Sequence, residues 1–131
     1  MSSSKKQVVI ETSEKGIEAS RELTDAVVAA LADVKAVNVA VLDVRGKTSL
    51  ADYLVVASGN SARHLATMKR AVIELAREGG HRPLGVEGSE QSDWQLIDLA
   101  DCVIHLMRPE TRAFYDLERL WSVGPEPRAE D

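Results

Sequence analysis

The chain has 131 residues, of which 44% are hydrophobic and 28% charged, a composition typical of one soluble globular domain. Its 16 basic and 21 acidic side chains give a net charge of −5, which disfavours direct nucleic-acid binding and suits a basic protein partner. The lone Cys102 excludes an internal disulfide, and the apolar runs are too short for a signal peptide or a membrane span, so a cytoplasmic protein is expected.

The N-terminal half predicts a helix followed by two strands. Residues 1–12 are expected to be a flexible arm, and residues 13–123 a single domain. Thr12 or Ser13 can cap a helix whose apolar side chains recur at helical spacing up to Val34. The β-branched segment 37–44 and the segment 50–57 predict strands apolar enough to lie inside a sheet that helices cover.

The second helix is predicted to start at Asn60 or Ser61 and to end at the glycine pair 79–80. Its expected inward side chains are Leu65, Met68, Val72 and Leu75, and its outward ones are Arg63, Lys69, Arg70 and Arg77. A short edge strand is expected at residues 82–86, limited by Pro83.

The C-terminal part predicts a third helix and a tail. Pro109 suits the first turn of the helix, and Phe114, Leu117 and Trp121 form its packed stripe. Residues 124–131 are expected to be a disordered tail. The order of elements indicates an α/β (α+β) fold, with a mixed β-sheet and flanking helices.

Residues 94–107 predict a β-hairpin with two different faces. A tight turn at residues 99–102 sets three pairs on one face: Asp98 opposite Val103, Leu96 opposite His105, and Trp94 opposite Met107. The other face, with Ile97, Ile104 and Leu106, suits the core. The tryptophan face is therefore a candidate binding surface, although a sheet covered on both faces fits the composition equally well.

Few residues offer catalytic or metal chemistry. The histidines lack metal-ligand spacing, and the turn 58–61 fits a helix N-cap better than a phosphate loop. Asp98 and His105 could form an acid–base pair if they share a face of the hairpin. Asp43 and Asp52, on adjacent strands, could bind a divalent ion if both point into one cleft. No nucleophile or cofactor loop accompanies either pair, so neither catalysis nor a cofactor is expected.

Six segments share their order and spacing with a known pattern. They are Leu42-Asp43-Val44-Arg45, residues 51–61, Val86-Glu87-Gly88, Trp94-Gln95-Leu96-Ile97-Asp98, Val103-Ile104-His105 and residues 112–121. Together, over about residues 13–121, they resemble the ribosomal silencing factor family, also called Iojap-like proteins. Only the loop 88–93 and the tail after Ser122 depart from the pattern.

This resemblance implies a nucleotidyltransferase-like fold without the catalytic acids, and a non-enzymatic role in translation. Family members bind the large ribosomal subunit through ribosomal protein number fourteen and block joining of the small subunit, which represses translation when nutrients are short. Carried over to this chain, the implied partner-binding residues are Trp94, Leu96, Asp98, His105 and Met107.

Two alternatives remain at this level. One is a metal-dependent nucleotidyltransferase-like enzyme that uses Asp43 and Asp52. The other is a homodimer of the free protein that uses the tryptophan face as its self-interface.

Overall fold

The computed structural model describes residues 2–122, with side chains for Gly16 and for residues 18–121. In chain order its elements are α1 (Ser2–Asp33), β1 (Val37–Asp43), β2 (Tyr53–Ser58), α2 (Ala62–Glu78), β3 (Gly85–Glu87), β4 (Trp94–Asp98), β5 (Cys102–Met107), α3 (Pro109–Tyr115) and α4 (Leu117–Ser122). The predicted tail at residues 124–131 lies outside the described residues.

The strands form one sheet in the order β1-β2-β5-β4-β3. Strands β2 and β5 pair in parallel, whereas the other neighbours pair antiparallel. This mixed sheet with flanking helices confirms the expected α/β (α+β) class. Within the described part of the chain, none of the helices combines the length and apolar character needed to span a bilayer.

Helices α1 and α2 cover one face of the sheet, which we call the inner face. Every residue of the interior strand β2 is buried, as expected for a strand with neighbours on both sides and apolar clusters on both of its faces. The main core includes Val27, Leu31, Val55, Leu65, Met68, Val72, Ile97, Ile104 and Leu106. Burying these side chains supplies the main driving force for folding.

Helix α2 has the ends and faces that the sequence predicts. Ser61 is its N-cap, and the Ser61 hydroxyl accepts a hydrogen bond from the His64 amide at 3.1 Å. Gly79 is the C-cap, and the predicted inward residues are buried or packed against the core. The turn at residues 58–61 therefore serves as a helix cap, the simpler of its two interpretations.

The opposite, outer face of the sheet is only partly covered. Helix α4 packs there through Trp121 on a second, smaller cluster of Val44, Leu54 and Val56. The ammonium group of Lys47, in the β1–β2 turn, donates to the Trp121 carbonyl at 2.5 Å and fixes this end of the chain. On β4 and β5, helix α3 lies near one end of the outer face, beside Trp94 and Met107.

Three sequence-based expectations are wrong. Helix α1 begins at Ser2 rather than after residue 12, because no proline or glycine interrupts residues 2–15. Strand β1 is an edge strand with exposed residues, not an interior one. The third helix is broken at Asp116, whose φ of 50° is left-handed, so Phe114 and Trp121 do not share one packed stripe.

Candidate partner-binding surface

The β4–β5 hairpin has the predicted register. Asp98 pairs with Val103, Leu96 with His105, and Trp94 with Met107, while Ile97 and Ile104 face the helices as part of the main core. The turn that sets this register contains Ala100 in a left-handed conformation, at φ 75°. The tryptophan face is consequently the outer face, as the alternation of side chains predicts.

Trp94 and His105 are joined across the two strands. The Trp94 Nε1–H donates a hydrogen bond to His105 Nδ1 at 3.0 Å, and the ring centroids lie 5.7 Å apart. Because Nδ1 accepts this bond, the imidazole is neutral with its proton on Nε2. Burial lowers the pKa of His105 from 6.5 to about 4, so the pair is uncharged at neutral pH.

Helix α3 extends the apolar surface beside Trp94. The ring centroids of Tyr115 and Trp94 lie 4.7 Å apart. The Phe114 ring meets the Tyr115 ring edge-on, with 4.9 Å between their centroids. Phe114 is 80% exposed and Tyr115 is 52% exposed, whereas Trp94 is half-buried. We call Trp94, Leu96, His105, Phe114 and Tyr115 the tryptophan surface.

The two α3 aromatic residues were missed as site residues by the sequence reasoning. That reasoning assigned Phe114 to the packed stripe of an unbroken helix, and it gave Tyr115 no role. A signal was present, because two adjacent aromatic side chains point about 100° apart on a helix and so do not both lie at the centre of one packed stripe. An exposed pair of this kind is more typical of an interface than of a solvent-facing helix.

Met107 does not belong to this surface. Its side chain has no exposed area, because α3 begins two residues later and packs against strand β5 at this end. The expectation that Met107 is exposed on the tryptophan face is therefore wrong, and Met107 has no exposed area to offer to a partner in this structure. Its position on the outer face was foreseen, but the covering helix was not.

Asp98 lies at the edge of the surface and has a structural role there. One carboxylate oxygen, Oδ1, accepts a hydrogen bond from the Ala100 amide at 2.9 Å and thereby stabilises the hairpin turn. His105 bonds to Trp94 instead, so the proposed Asp98–His105 acid–base pair does not form in the structure. Asp98 can still present its negative charge to a partner.

An ion pair fixes α3 relative to the sheet. The Arg112 guanidinium binds both carboxylate oxygens of Glu118 at 3.0 and 2.8 Å, and its third contact is to the Ser58 hydroxyl at 2.9 Å. The hydrogen bonds from Arg112, and secondarily its positive charge, hold the pKa of the Glu118 carboxyl below its ordinary value. Because Ser58 ends β2, its hydrogen bond with Arg112 joins α3 to the sheet, while the bidentate pair with Glu118 joins α3 to α4. Together these contacts fix the aromatic residues of α3 beside Trp94.

Asp43 and Asp52, the two carboxylates that the enzymatic alternative requires, are hydrogen-bonded to different partners. Both Asp43 oxygens bind Arg45, at 2.8 and 2.6 Å, and this hydrogen bonding keeps the Asp43 pKa low. Asp52 accepts a hydrogen bond from the Ser20 hydroxyl at 2.8 Å. Arg45 thus occupies the oxygens that a divalent ion would need, and the described residues contain no group of three or more potential metal ligands.

Residues 17–131 match the family model described as ribosomal silencing factor during starvation. A ribosomal silencing factor of Zymomonas mobilis is 41% identical over 96 residues, covering 73% of this chain and 72% of that protein. Its counterpart in Halalkalibacterium halodurans is 36% identical over 106 residues, covering 81% and 91%. A mouse protein named for mitochondrial assembly of the ribosomal large subunit is 35% identical over 102 residues, covering 76% and 45%.

The fold is similar to two solved structures. A crystal structure from Chromobacterium violaceum has a TM-score of 0.76 at 35% identity and covers 82% of this chain and 89% of its own. A second, from Bacillus halodurans, has a TM-score of 0.70 at 36% identity and covers 77% and 94%. Sequence and fold therefore indicate the same relationship.

Proposed function

The chain belongs to the ribosomal silencing factor family, and on that premise we propose that it binds the large ribosomal subunit and sterically blocks joining of the small subunit. The observation that carries the proposal is the tryptophan surface, a continuous apolar area on a domain of net negative charge. Its rings are held in place by Arg112 and by the hairpin. Translation would be repressed in nutrient limitation because the bound chain occupies the surface that the small subunit needs, and not because the chain catalyses a reaction.

The proposed contact on the subunit is ribosomal protein number fourteen. Trp94 and Leu96 provide an apolar anchor on strand β4, and Phe114 and Tyr115 widen it on helix α3. Large aromatic side chains that are already ordered lose little conformational entropy on binding, so they are favoured as interface anchors. Asp98, at the rim, is placed to pair with a basic residue of the partner.

The uncharged Trp94–His105 pair fits this role. A charged imidazole at the centre of the surface would have to be desolvated on binding, whereas the neutral ring avoids that cost. The lowered pKa of His105 keeps the ring neutral throughout the physiological pH range. Binding through this surface is consequently expected to vary little between pH 6 and pH 8.

Co-sedimentation with purified large subunits tests the proposal. Wild type should pellet with large subunits and lower the yield of joined ribosomes when small subunits are added. Trp94→Ala and Leu96→Ala should each weaken binding, by about 2 kcal/mol or more for a tryptophan at the centre of an interface. Circular dichroism should first show that both variants are folded.

Leu50→Ala is the matched control for Leu96→Ala, because Leu50 is 83% exposed and lies in the β1–β2 connection. It should bind like wild type. A wild-type chain that neither pellets nor reduces subunit joining would refute the proposal, and a folded Trp94→Ala that binds normally would refute the site. Light scattering across a dilution series should show whether the free chain pairs through the same surface, since Trp94→Ala should then dissociate the dimer.

A further inference from the structure

Helix α2 carries a row of arginines on its solvent face. Arg63, Arg70 and Arg77 recur every seven residues, close to two helical turns, so their side chains lie along one line of the helix. All three are exposed. The row is about 20 Å long, at about 1.5 Å of rise per residue. Thr67 lies within it, and its hydroxyl accepts a hydrogen bond from Arg70 at 3.4 Å.

The row runs into a shallow groove at the C-terminal end of α2. This groove has a volume of about 320 Å³ and is lined by Ile73, Arg77, Gly80, His81, Arg82 and Pro83. Its basic side chains are contributed both by the helix and by the loop that follows. A basic helix face and a basic groove thus form one continuous surface.

The negative net charge of the whole chain does not reveal the local positive charge of this surface. Residues 62–82 contain five Lys or Arg and two Glu, a net charge of +3, so the remaining residues carry −8 of the total of −5. Glu74 pairs with Arg77, and Glu90 lies 3.7 Å from Arg70. These ion pairs are exposed and therefore contribute little to stability, so a phosphate group can replace the glutamate as the partner of each arginine.

We propose that the α2 arginine row binds backbone phosphates of RNA in the large ribosomal subunit, an inference that rests on the proposed function and extends it. Guanidinium groups bind phosphate oxygens through paired N–H donors, and a linear row suits a polymer with regularly spaced anions. The expectation of little nucleic-acid contact came from the summed charge, which carries no information about where the charges lie.

The arginine row and the tryptophan surface are placed to act together. Helix α2 packs on the inner face of the sheet, and the tryptophan surface lies on the outer face. The loop between β3 and β4 links them. Lys69 and Arg70 of α2 contact this loop, at the Gly88 carbonyl (3.1 Å) and the Glu90 carboxylate (3.7 Å), and the loop leads directly into Trp94. The chain would then sit at a boundary between ribosomal protein and ribosomal RNA.

The test compares two variants that lose the same charge. Arg63→Gln/Arg70→Gln removes two members of the row, whereas Arg21→Gln/Lys35→Gln removes two exposed charges from α1 and the turn that follows it. Binding to purified large subunits is measured over a series of salt concentrations. Binding to isolated ribosomal protein number fourteen is measured in parallel.

The row variant should bind large subunits about tenfold more weakly than wild type. Its plot of log affinity against log salt should be shallower by about 1.5, since each lost phosphate contact accounts for about 0.7–0.9. Its affinity for the isolated protein should be unchanged, and the control variant should match wild type in every assay.

Two results would overturn the inference while leaving the proposed function intact. One is a row variant that binds subunits like wild type with the same salt dependence. The other is an equal loss in both variants, which would show general charge attraction instead of a defined contact. Failure of the wild-type chain to bind large subunits at all would instead overturn the proposed function.

Discussion

The indole N–H of Trp94 and Nδ1 of His105 form a hydrogen bond of 3.0 Å between the β4 and β5 strands. The bond fixes the orientation of the indole from one side, and Tyr115 contacts the same ring from helix α3. The indole at the candidate binding surface is therefore ordered before any partner arrives. Such preorganisation reduces the entropy lost on binding.

The pH dependence of stability should report the burial of His105. His105 titrates near 6.5 when unfolded but at about 4 in the fold, so the unfolded state binds more protons between these values. Stability is therefore full above pH 6.5 and falls as the pH drops to 4, by at most about 3 kcal/mol at 1.36 kcal/mol per pKa unit. Urea unfolding measured at half-unit steps of pH checks this.

His105→Phe should remove most of that dependence and lower stability by about 1–2 kcal/mol at neutral pH, because the Trp94 N–H loses its acceptor. Near pH 4 the difference from wild type should disappear, because wild type has by then lost the contribution of the neutral imidazole. His81→Gln, at an exposed position, should leave the dependence as in wild type. A wild-type curve that stays flat from pH 6.5 to 4.5 would contradict the burial of His105.

Phe114 and Met107 should behave in opposite ways when truncated. Phe114→Ala removes an exposed ring and should weaken large-subunit binding severalfold with little change in stability. Met107→Ala empties a buried site and should cost about 2–5 kcal/mol of stability. Thermal unfolding and co-sedimentation of both variants provide the comparison. A Phe114→Ala variant that is strongly destabilised would place this ring in the core.

The charge of Asp98 can be separated from its role in the hairpin. Asp98→Asn keeps an oxygen for the Ala100 amide, so it should leave stability nearly unchanged and weaken binding to a basic partner. Asp98→Ala loses the turn contact as well and should also be less stable, by about 1 kcal/mol. Equal binding by wild type and Asp98→Asn would exclude the charge from the contact.

The Arg112–Glu118 pair should stabilise the chain through its geometry. Arg112→Lys keeps the charge but cannot make the paired contact to Glu118 together with the bond to Ser58, so a loss of about 1–3 kcal/mol is expected. Arg63→Lys, on an exposed helix face, should change stability by less than about 0.5 kcal/mol. Chemical denaturation distinguishes the two, and equal stability would show that charge alone suffices.

Gly88 should tolerate no side chain. Its φ is +110°, and an added Cβ would lie 2.4 Å from Oε1 of Gln95 and 2.7 Å from the Trp94 carbonyl oxygen. Gly88→Ala should therefore destabilise the chain by about 2 kcal/mol or more and weaken binding through displacement of Trp94. Gly46→Ala, also at positive φ but in open space, should cost only about 1 kcal/mol. Similar losses of stability for both variants would indicate that the cost comes from the positive φ alone and not from a clash of the added Cβ.

The parts of the site that could be predicted depend on sequence patterns within a few neighbouring residues. The register that places Leu96 opposite His105 follows from strict alternation and a short turn, both visible in the sequence. The cap at Ser61 and the end of α2 at Gly79 depend on side-chain and backbone chemistry within a few residues. Each of these features is independent of distant parts of the chain.

The incorrect predictions concern contacts between distant segments. The burial of Met107 depends on where α3 packs, and the exposure of strand β1 depends on its position at the edge of the sheet. The break at Asp116 leaves no proline or glycine signal, because an aspartate adopts the left-handed conformation there. Hydrophobic periodicity indicates which side chains share a face, but not what covers that face.

The left-handed residue at Asp116 separates two groups of aromatic side chains. An unbroken helix would place Phe114 and Trp121 on one side, seven residues apart, and both would compete for the same cluster beneath it. The reversal allows Trp121 to close the fold while Phe114 and Tyr115 stay outside beside Trp94. One backbone dihedral angle thus divides this C-terminal segment between maintaining the domain and meeting other molecules.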